Sequence, residues 1–443
     1  MSATARRVYL EEEGADKAPT LSVDEAVSYV FRAPPEIGAI ILGPPGIGKT
    51  ELVLEYARRE AEGKGKEFIL LNDERRKRAL GEFEKLVLDI LKHPERYYVV
   101  TVVSFGAVTP DDLLGVPRLV TVRDGDKLLA VFEESALKAC LALLTVKDIH
   151  GLLLIDDALN ANDNVRRSFL VAVFQERVVG GFMGVKLSPN VRVVATGNLV
   201  GESDLVTPLP RTMVGRAMML RVKPAPLREW YKCMEERYGN TWFREVYAFL
   251  ERYGEYYSKH SLIGDEPPTG PVPRAWSKLA VYLKAVEGEL PRLLSSPEGR
   301  GRLIALVASF VGPEAASQFV AFLSKPVVSV EEALADPSRL DEIAGDLDRV
   351  LRFAVQLAGE LKRALNTGSV DAVTGYLRVL VELTERTSRD IGVFVYEMLT
   401  RGERVKLRKT LLKLLARGGG VREVAEKLLP VVTGSTIASA TLE

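Results

Sequence analysis

The clearest chemistry in this chain lies in the run Gly43-Pro44-Pro45-Gly46-Ile47-Gly48-Lys49-Thr50. Its spacing is that of a glycine-rich turn closed by a lysine and a hydroxyl, G-x-x-x-x-G-K-[ST]. The apolar run at 37–42 predicts a buried strand before the turn, and residues 51–61 predict a helix after it. A tight turn between them aims several main-chain N–H groups at one anion, and the positive end of the helix adds to the attraction. Lys49 would then reach the outer phosphates of a nucleotide, and the Thr50 hydroxyl would hold Mg²⁺. Residues Gly43 to Glu51 form the candidate cradle.

Four further segments have residue types that complement such a cradle. Gly151-Leu152-Leu153-Leu154-Ile155-Asp156-Asp157 reads as a central strand buried on both faces, with two carboxylates at its C-terminal end. In an open α/β sheet that end is the ligand edge. Asp156 would hold Mg²⁺ directly or through water, and Asp157 would position or activate an attacking water. Residues 191–198 read as another buried strand, whose polar tip Asn198 would bond that water or the γ-phosphate. Pro208-Leu209-Pro210 is followed by Arg216, placed to complete a neighbouring copy's site in trans, with Arg211 and Arg221 as competitors. In Val272-Pro273-Arg274-Ala275-Trp276 the proline favours a helix start and puts Arg274 in the first turn.

These pieces occur in one order, and over roughly residues 20–325 the chain resembles the AAA+ superfamily and, within it, the MoxR-like ATPases. The resemblance is carried by GPPGIGKT, TPDDLLGVPR (109–118), LLLIDDALN (152–160), VVATGN (193–198), PLPRTMVGR (208–216) and VPRAW (272–276). It implies Lys49 and Thr50 as Walker A, Asp156 and Asp157 as Walker B, and Asn198 as sensor 1. It implies Arg216 as the arginine finger and Arg274 as sensor 2, with ATP and Mg²⁺ as cofactors. It also implies two hairpins: one after Arg118 with a turn at 123–126, and one at 178–187 whose tip carries Phe182 and Met183. Asp124-Gly125 between β-rich runs supports the first independently.

The chain departs from the family pattern in three places. Asp157 stands where the family usually has glutamate, one methylene longer, which makes slow hydrolysis or a nucleotide-gated switch an open alternative. The asparagine expected after the acidic pair comes one residue late, as Asn160. Residues 63–96 read as an insertion whose helix would dock by a stripe of Phe83, Leu86, Val87, Ile90 and Leu91.

At 443 residues the chain exceeds one hydrophobic core. The expected organisation is an arm at 1–19, an α/β core with a three-layer parallel sheet at 20–223, a helical lid at 224–325, and a helical C-terminal region at 326–443. Ser22 to Glu25 suits a capping box at the start of a helix over 20–33. Pro224 and Pro226 mark the boundary after the core. Helices are expected at 330–334, 340–364, 370–385, 389–399, 403–416 and 421–429, with Leu347, Val350, Leu351, Ala354, Val355 and Ala358 on one face.

Lys+Arg and Asp+Glu both number 60, so bulk charge advertises neither nucleic acid nor an anionic membrane. Cys140 and Cys233, with His93, His150 and His260, show no zinc spacing. No apolar run reaches membrane-span length, and no secretory h-region opens the chain; a soluble, cytoplasmic protein is expected. The resemblance implies an ATP-hydrolysing ring, a hexamer, that remodels protein clients, with a von Willebrand factor A domain protein as a partner. A McrB-like or loader-type nucleic-acid motor and a non-catalytic nucleotide-gated scaffold are the alternatives.

Overall fold

Short apolar strands and amphipathic helices alternate through the first half of the chain. The strands are β1 (Leu21–Ser22), β2 (Ala39–Leu42), β3 (Glu67–Leu70), β4 (Tyr97–Ser104), β5 (Val116–Thr121), β6 (Leu128–Glu133), β7 (His150–Asp156), β8 (Val178–Val179), β9 (Val185–Lys186), β10 (Val191–Gly197) and β11 (Met218–Lys223). Seven of them form one sheet of order β1-β11-β2-β10-β7-β4-β3, and every pairing in it is parallel. This is a computed structural model, described for residues 20–114, 116–121, 128–133, 136–160, 164–179, 184–198, 213, 215–258, 270–417 and 422–429. Two compact units result, Met1–Ala225 and Pro226–Glu443, divided at the proline pair.

The sheet is covered on both faces because its strands are apolar on both. Ile41, Val100, Leu152, Leu154 and Val194 enter one core, together with Val23, Val27, Val53 and Ala57 of the helices α1 (Val23–Arg32) and α2 (Lys49–Gly63). Their neighbours Ile40, Val99, Leu153, Ile155, Val193 and Ala195 enter the other, against Ile90, Leu141 and Leu170. The period of two in a strand thus makes a three-layer sandwich, as expected.

Helix α1 opens with the capping box: the Ser22 hydroxyl accepts from the Glu25 N–H at 3.2 Å, and the Ser22 N–H donates to the Glu25 carboxylate at 2.8 Å. Its other end rests on Arg192 of β10. Arg192 is 2% exposed; it donates to the carbonyls of Val30 (2.6 Å), Ala33 (3.0 Å) and Phe31 (3.3 Å) and lies 3.6 Å from the Glu60 carboxylate. A buried guanidinium here caps carbonyls at the helix end that lack an intrahelical partner. Burial works to raise the Glu60 pKa, but hydrogen bonds from Lys64 and Tyr98 and the charge of Arg192 outweigh it and leave it below the usual glutamate value.

Several expectations need correction. The strand before the glycine loop, β2, starts at Ala39, not 37: the Ile37 N–H closes a turn onto Pro34, and Ile37 is 43% exposed. The following helix starts at Lys49, two residues early, because Gly48 takes a left-handed φ of 87° and can serve as its N-cap. Residues 63–96 are more than an appended helix, since they supply the edge strand β3. Asn72 then prolongs the β3 ladder, its side chain exchanging two hydrogen bonds with the Val102 backbone (2.8 and 2.9 Å). On the helix Leu80–Lys92, Ile90 is buried and Phe83, Leu86 and Val87 pack beside it, but Leu91 faces solvent. The short strands β1 and β11, which no motif announced, extend the sheet beside β2.

Both hairpins have their strands, β5 with β6 and β8 with β9, paired antiparallel. The turn at 123–126, the Phe182–Met183 tip, Arg211 and the Pro208–Pro210 run lie outside the described residues.

The second unit is helical. One buried core runs through it from Trp230 to Leu428, so residues expected as lid and as C-terminal region share it. Phe249 meets Phe322 at 5.6 Å between centroids, and Tyr247 stacks on Phe394 at 5.4 Å. The helix expected over 340–364 is broken: Asp346 caps a new helix, Leu347–Thr367, by accepting from the Asp348 N–H. Val350, Leu351, Ala354, Val355 and Ala358 line its buried face, while Leu347 is exposed. Among the described residues no helix is long and apolar enough to cross a membrane.

Arg192→Ala strands the carbonyls at the end of α1 and leaves Glu60 without its buried cation, so it should cost about 3 kcal/mol of stability in the first unit, read by urea unfolding. The depressed Glu60 pKa contributes stability that is present above the ordinary glutamate range and lost as pH falls through the lowered folded value. Arg192→Ala should therefore also flatten the acid limb of the stability–pH curve.

Candidate functional site

In a parallel sheet all strands end on the same edge, and β2, β10 and β7 are adjacent. Register puts Leu42 beside Gly197 and Ala195 beside Ile155. The loop after β2, Asn198 after β10, and Asp156 at the end of β7 are thereby delivered to one place. The loop is held there by close backbone approach. The Gly43 N–H donates to the Gly197 carbonyl at 3.2 Å, and a Cβ on Gly43 would lie 2.4 Å from the Val222 carbonyl of β11. Gly46 and Gly48 both adopt positive φ, 75° and 87°, which turn the chain into α2. Ile47 is buried and anchors the loop in the core, so Gly46 and Gly48 can curve around the helix end.

Lys49 is 7% exposed, and its ammonium donates to the carbonyls of Gly43 and Pro44, both at 2.7 Å, and to Asn198 Oδ1 at 3.1 Å. The cation is held within the loop by oxygen acceptors, the kind of partner a phosphate also offers. Glu51 is exposed in the first turn of α2.

Asp156 is the meeting point of three elements. Its Oδ1 accepts from the Thr50 hydroxyl (2.7 Å), the Thr196 hydroxyl (2.5 Å) and the Asp157 N–H (3.2 Å). Among the described residues its Oδ2 accepts no hydrogen bond. A hydroxyl and a carboxylate are hard oxygen donors, the set Mg²⁺ takes when the remaining ligands are water and phosphate. The residues present fit that ion, and Thr50 and Asp156 are the side chains that would hold it.

Asp157 leaves the strand with a φ of 54°, a left-handed conformation that aspartate tolerates better than most residues. This turn re-aims its side chain toward the end of β4. A Cβ built on Gly106 would lie 3.5 Å from Asp157 Oδ2 and 3.9 Å from Asn160 Nδ2. The Asn160 N–H also donates to the Asp157 carbonyl at 2.8 Å. Asn160, one position late in the sequence, is thus next to Asp157 in space.

The structure therefore brings together Lys49, Thr50, Asp156 and Asn198, with Asp157 adjoining through its N–H. Arg216 does not join them. It is exposed in the turn before β11, at the N-terminal end of a strand whose C-terminal end borders the loop. Arg221, paired with Leu42, lies nearer that end and is exposed. Arg274 belongs to the second unit, exposed in the first turn of the helix Pro273–Ala285, with Pro273 at its start. Reading residues by type missed Thr196, although a hydroxyl in an otherwise apolar strand tip was a visible signal.

No protein-family model and no curated protein matches the chain. Among solved structures, the Aeropyrum pernix ORC2 protein (ADPNP-ADP complexes) aligns over 95% of this chain and 96% of its own, at 13% identity and a TM-score of 0.30. A protein of Cytophaga hutchinsonii ATCC 33406, provisionally assigned as an ATPase, aligns over 92% and 87%, at 12% identity and a TM-score of 0.23. Likenesses this weak carry no argument about the chemistry of the site.

Gly43→Ala forces its methyl onto the Val222 carbonyl and should displace the loop. It should lower thermal stability and weaken triphosphate binding by at least about tenfold, since misplacing the cradle's donors by an ångström forfeits their hydrogen bonds. Gly63→Ala at the far end of α2 meets nothing within 4 Å and should leave binding unchanged. Fluorescent-nucleotide titration of both variants checks this.

Proposed function

We propose that the chain is an AAA+ ATPase that binds ATP with Mg²⁺ at the 43–51 loop and hydrolyses it to ADP and phosphate. One observation carries this reading: the lysine, the hydroxyl, the carboxylate and the sensor asparagine converge on one sheet edge beside the N-terminus of α2. Bound ATP and Mg²⁺ would supply the transferable phosphoryl group and neutralise its charge. The protein's part is positioning. Lys49 would exchange loop carbonyls for phosphate oxygens, and the α2 N–H groups would hold the anion. Thr50 and Asp156 would hold the cation, and Asn198, bonded to Lys49, would serve the outer phosphates. Asp157, turned toward Gly106 and Asn160, is the carboxylate set apart to orient water.

The finer reading is a MoxR-like ring, a hexamer, remodelling a protein client with a von Willebrand factor A domain protein as partner. It is supported by the order of the motifs and by the two antiparallel hairpins, β5–β6 before the Walker B strand and β8–β9 before the sensor strand. Arg216 lies away from its own chain's loop, which suits a finger offered to a neighbour. Arg274 is the sensor 2 candidate.

One observation favours the nucleic-acid motor instead. The helix Arg401–Arg417 buries Leu407, Leu411 and Leu414 and leaves Lys406, Lys409 and Lys413 exposed on the other side. Duplex binding that falls steeply with salt would support that alternative.

Lys49→Ala should abolish ATP turnover, measured by phosphate release; unchanged turnover would refute the site. Arg216→Ala should leave assembly intact and cut turnover by roughly 10³–10⁵-fold, as loss of a trans arginine does. Mixing it with Asp156→Ala subunits should restore activity, because each supplies what the other lacks; no rescue would argue against a finger in trans.

A further inference from the structure

Thr196 is fully buried on β10, and its neighbours Val193, Val194 and Ala195 are apolar. A buried hydroxyl needs a partner. Here the partner is Asp156 on the next strand: Thr196 Oγ1 donates to Asp156 Oδ1 at 2.5 Å and lies 3.3 Å from Thr50 Oγ1. Three donors from three different places hold that one carboxylate oxygen. Thr50 comes from the start of α2, the Asp157 N–H from the turn after β7, and Thr196 from the strand between the loop and β7. Of these, the Thr50 oxygen must also serve the cation. The Asp157 bond, at 3.2 Å, is the longest. Thr196 alone has no other duty at the site, and its burial keeps it from touching a ligand.

We infer that Thr196 is a positioning residue for the cation: it fixes the Asp156 carboxylate by its Oδ1, leaving Oδ2, which accepts from no donor among the described residues, to face Mg²⁺. The inference rests on the nucleotide–Mg²⁺ reading above. Partners in the shell behind a metal ligand typically govern about 10–100-fold in metal affinity. Loss of the Thr196 hydroxyl frees the carboxylate to rotate and weakens the cation, while the phosphate cradle of main-chain N–H groups and Lys49 stays intact.

The test is binding of a fluorescent ATP analogue by the full chain, titrated with Mg²⁺ and repeated in chelator. Wild type, Thr196→Val, Thr196→Ala and Thr196→Ser should bind the analogue equally without divalent cation. Half-saturating Mg²⁺ should rise by about tenfold or more in Thr196→Val and Thr196→Ala, the usual scale for such a partner. Thr196→Ser, which keeps the hydroxyl, should stay at the wild-type value. If valine at this position prevents folding, the alanine and serine variants decide. A wild-type Mg²⁺ dependence in Thr196→Ala or Thr196→Val, with stability alone reduced, would overturn the inference and make Thr196 a satisfied core hydroxyl. Failure of the wild type itself to bind the analogue would instead bring down the nucleotide reading, and this inference with it.

Discussion

The arrangement depends on the parallel register of three neighbouring strands. Because β2, β10 and β7 run the same way with fixed offsets, a glycine loop, an asparagine and a carboxylate emerge together. The hydrogen bonds at Asp156 Oδ1 express that register in side chains, tying the first turn of α2 to β7 and β10 at once. A one-residue slip would exchange every strand side chain between two apolar cores, so the register, and the site with it, is enforced by how each side chain packs in its own core. Ile41 with Ile40, and Leu154 with Leu153, divide between opposite faces and hold the register from both sides.

The same edge separates two carboxylates that adjoin in sequence. Asp156 is bound to Thr50 and Thr196, while the left-handed backbone at Asp157 turns the next side chain toward Gly106 and Asn160. In the proposed function the first would hold the cation and the second stands apart from it. Asn160 lies next to Asp157 there. Lys49 completes the edge: a nearly buried ammonium needs acceptors, and the loop's own carbonyls with Asn198 provide them.

What could be read from the residues was what is local. The glycine-rich loop at 43–50, the Asp156–Asp157 pair and the Ser22–Glu25 capping box are each contiguous, and their spacing is visible in the sequence. The parallel three-layer sheet followed by helices was legible from unbroken apolar runs. What escaped depends on partners distant in the chain. β3 hides in a charged stretch because its apolar run is only Phe68, Ile69 and Leu70, and Asn72 acts as a ladder residue only opposite Val102. β11 has a mixed pattern, and the place it occupies beside β2 is a matter of topology. Thr196 lies inside a segment the resemblance already used, yet its role appears only when Asp156 is seen across the strand gap. The break at Gly345–Asp346 was missed because helical periodicity continues across it, while the competing aspartate cap is a local hydrogen bond.

The most direct test of the shared-edge site is a crystal structure of the full chain with a non-hydrolysable ATP analogue and Mn²⁺ in place of Mg²⁺. The expected result is an anomalous Mn²⁺ peak bonded to the Thr50 hydroxyl and on the Asp156 side of it, with Lys49 turned from the Gly43 and Pro44 carbonyls onto the phosphates. An analogue bound elsewhere, or a loop still closed on Lys49 at saturating ligand, would contradict it.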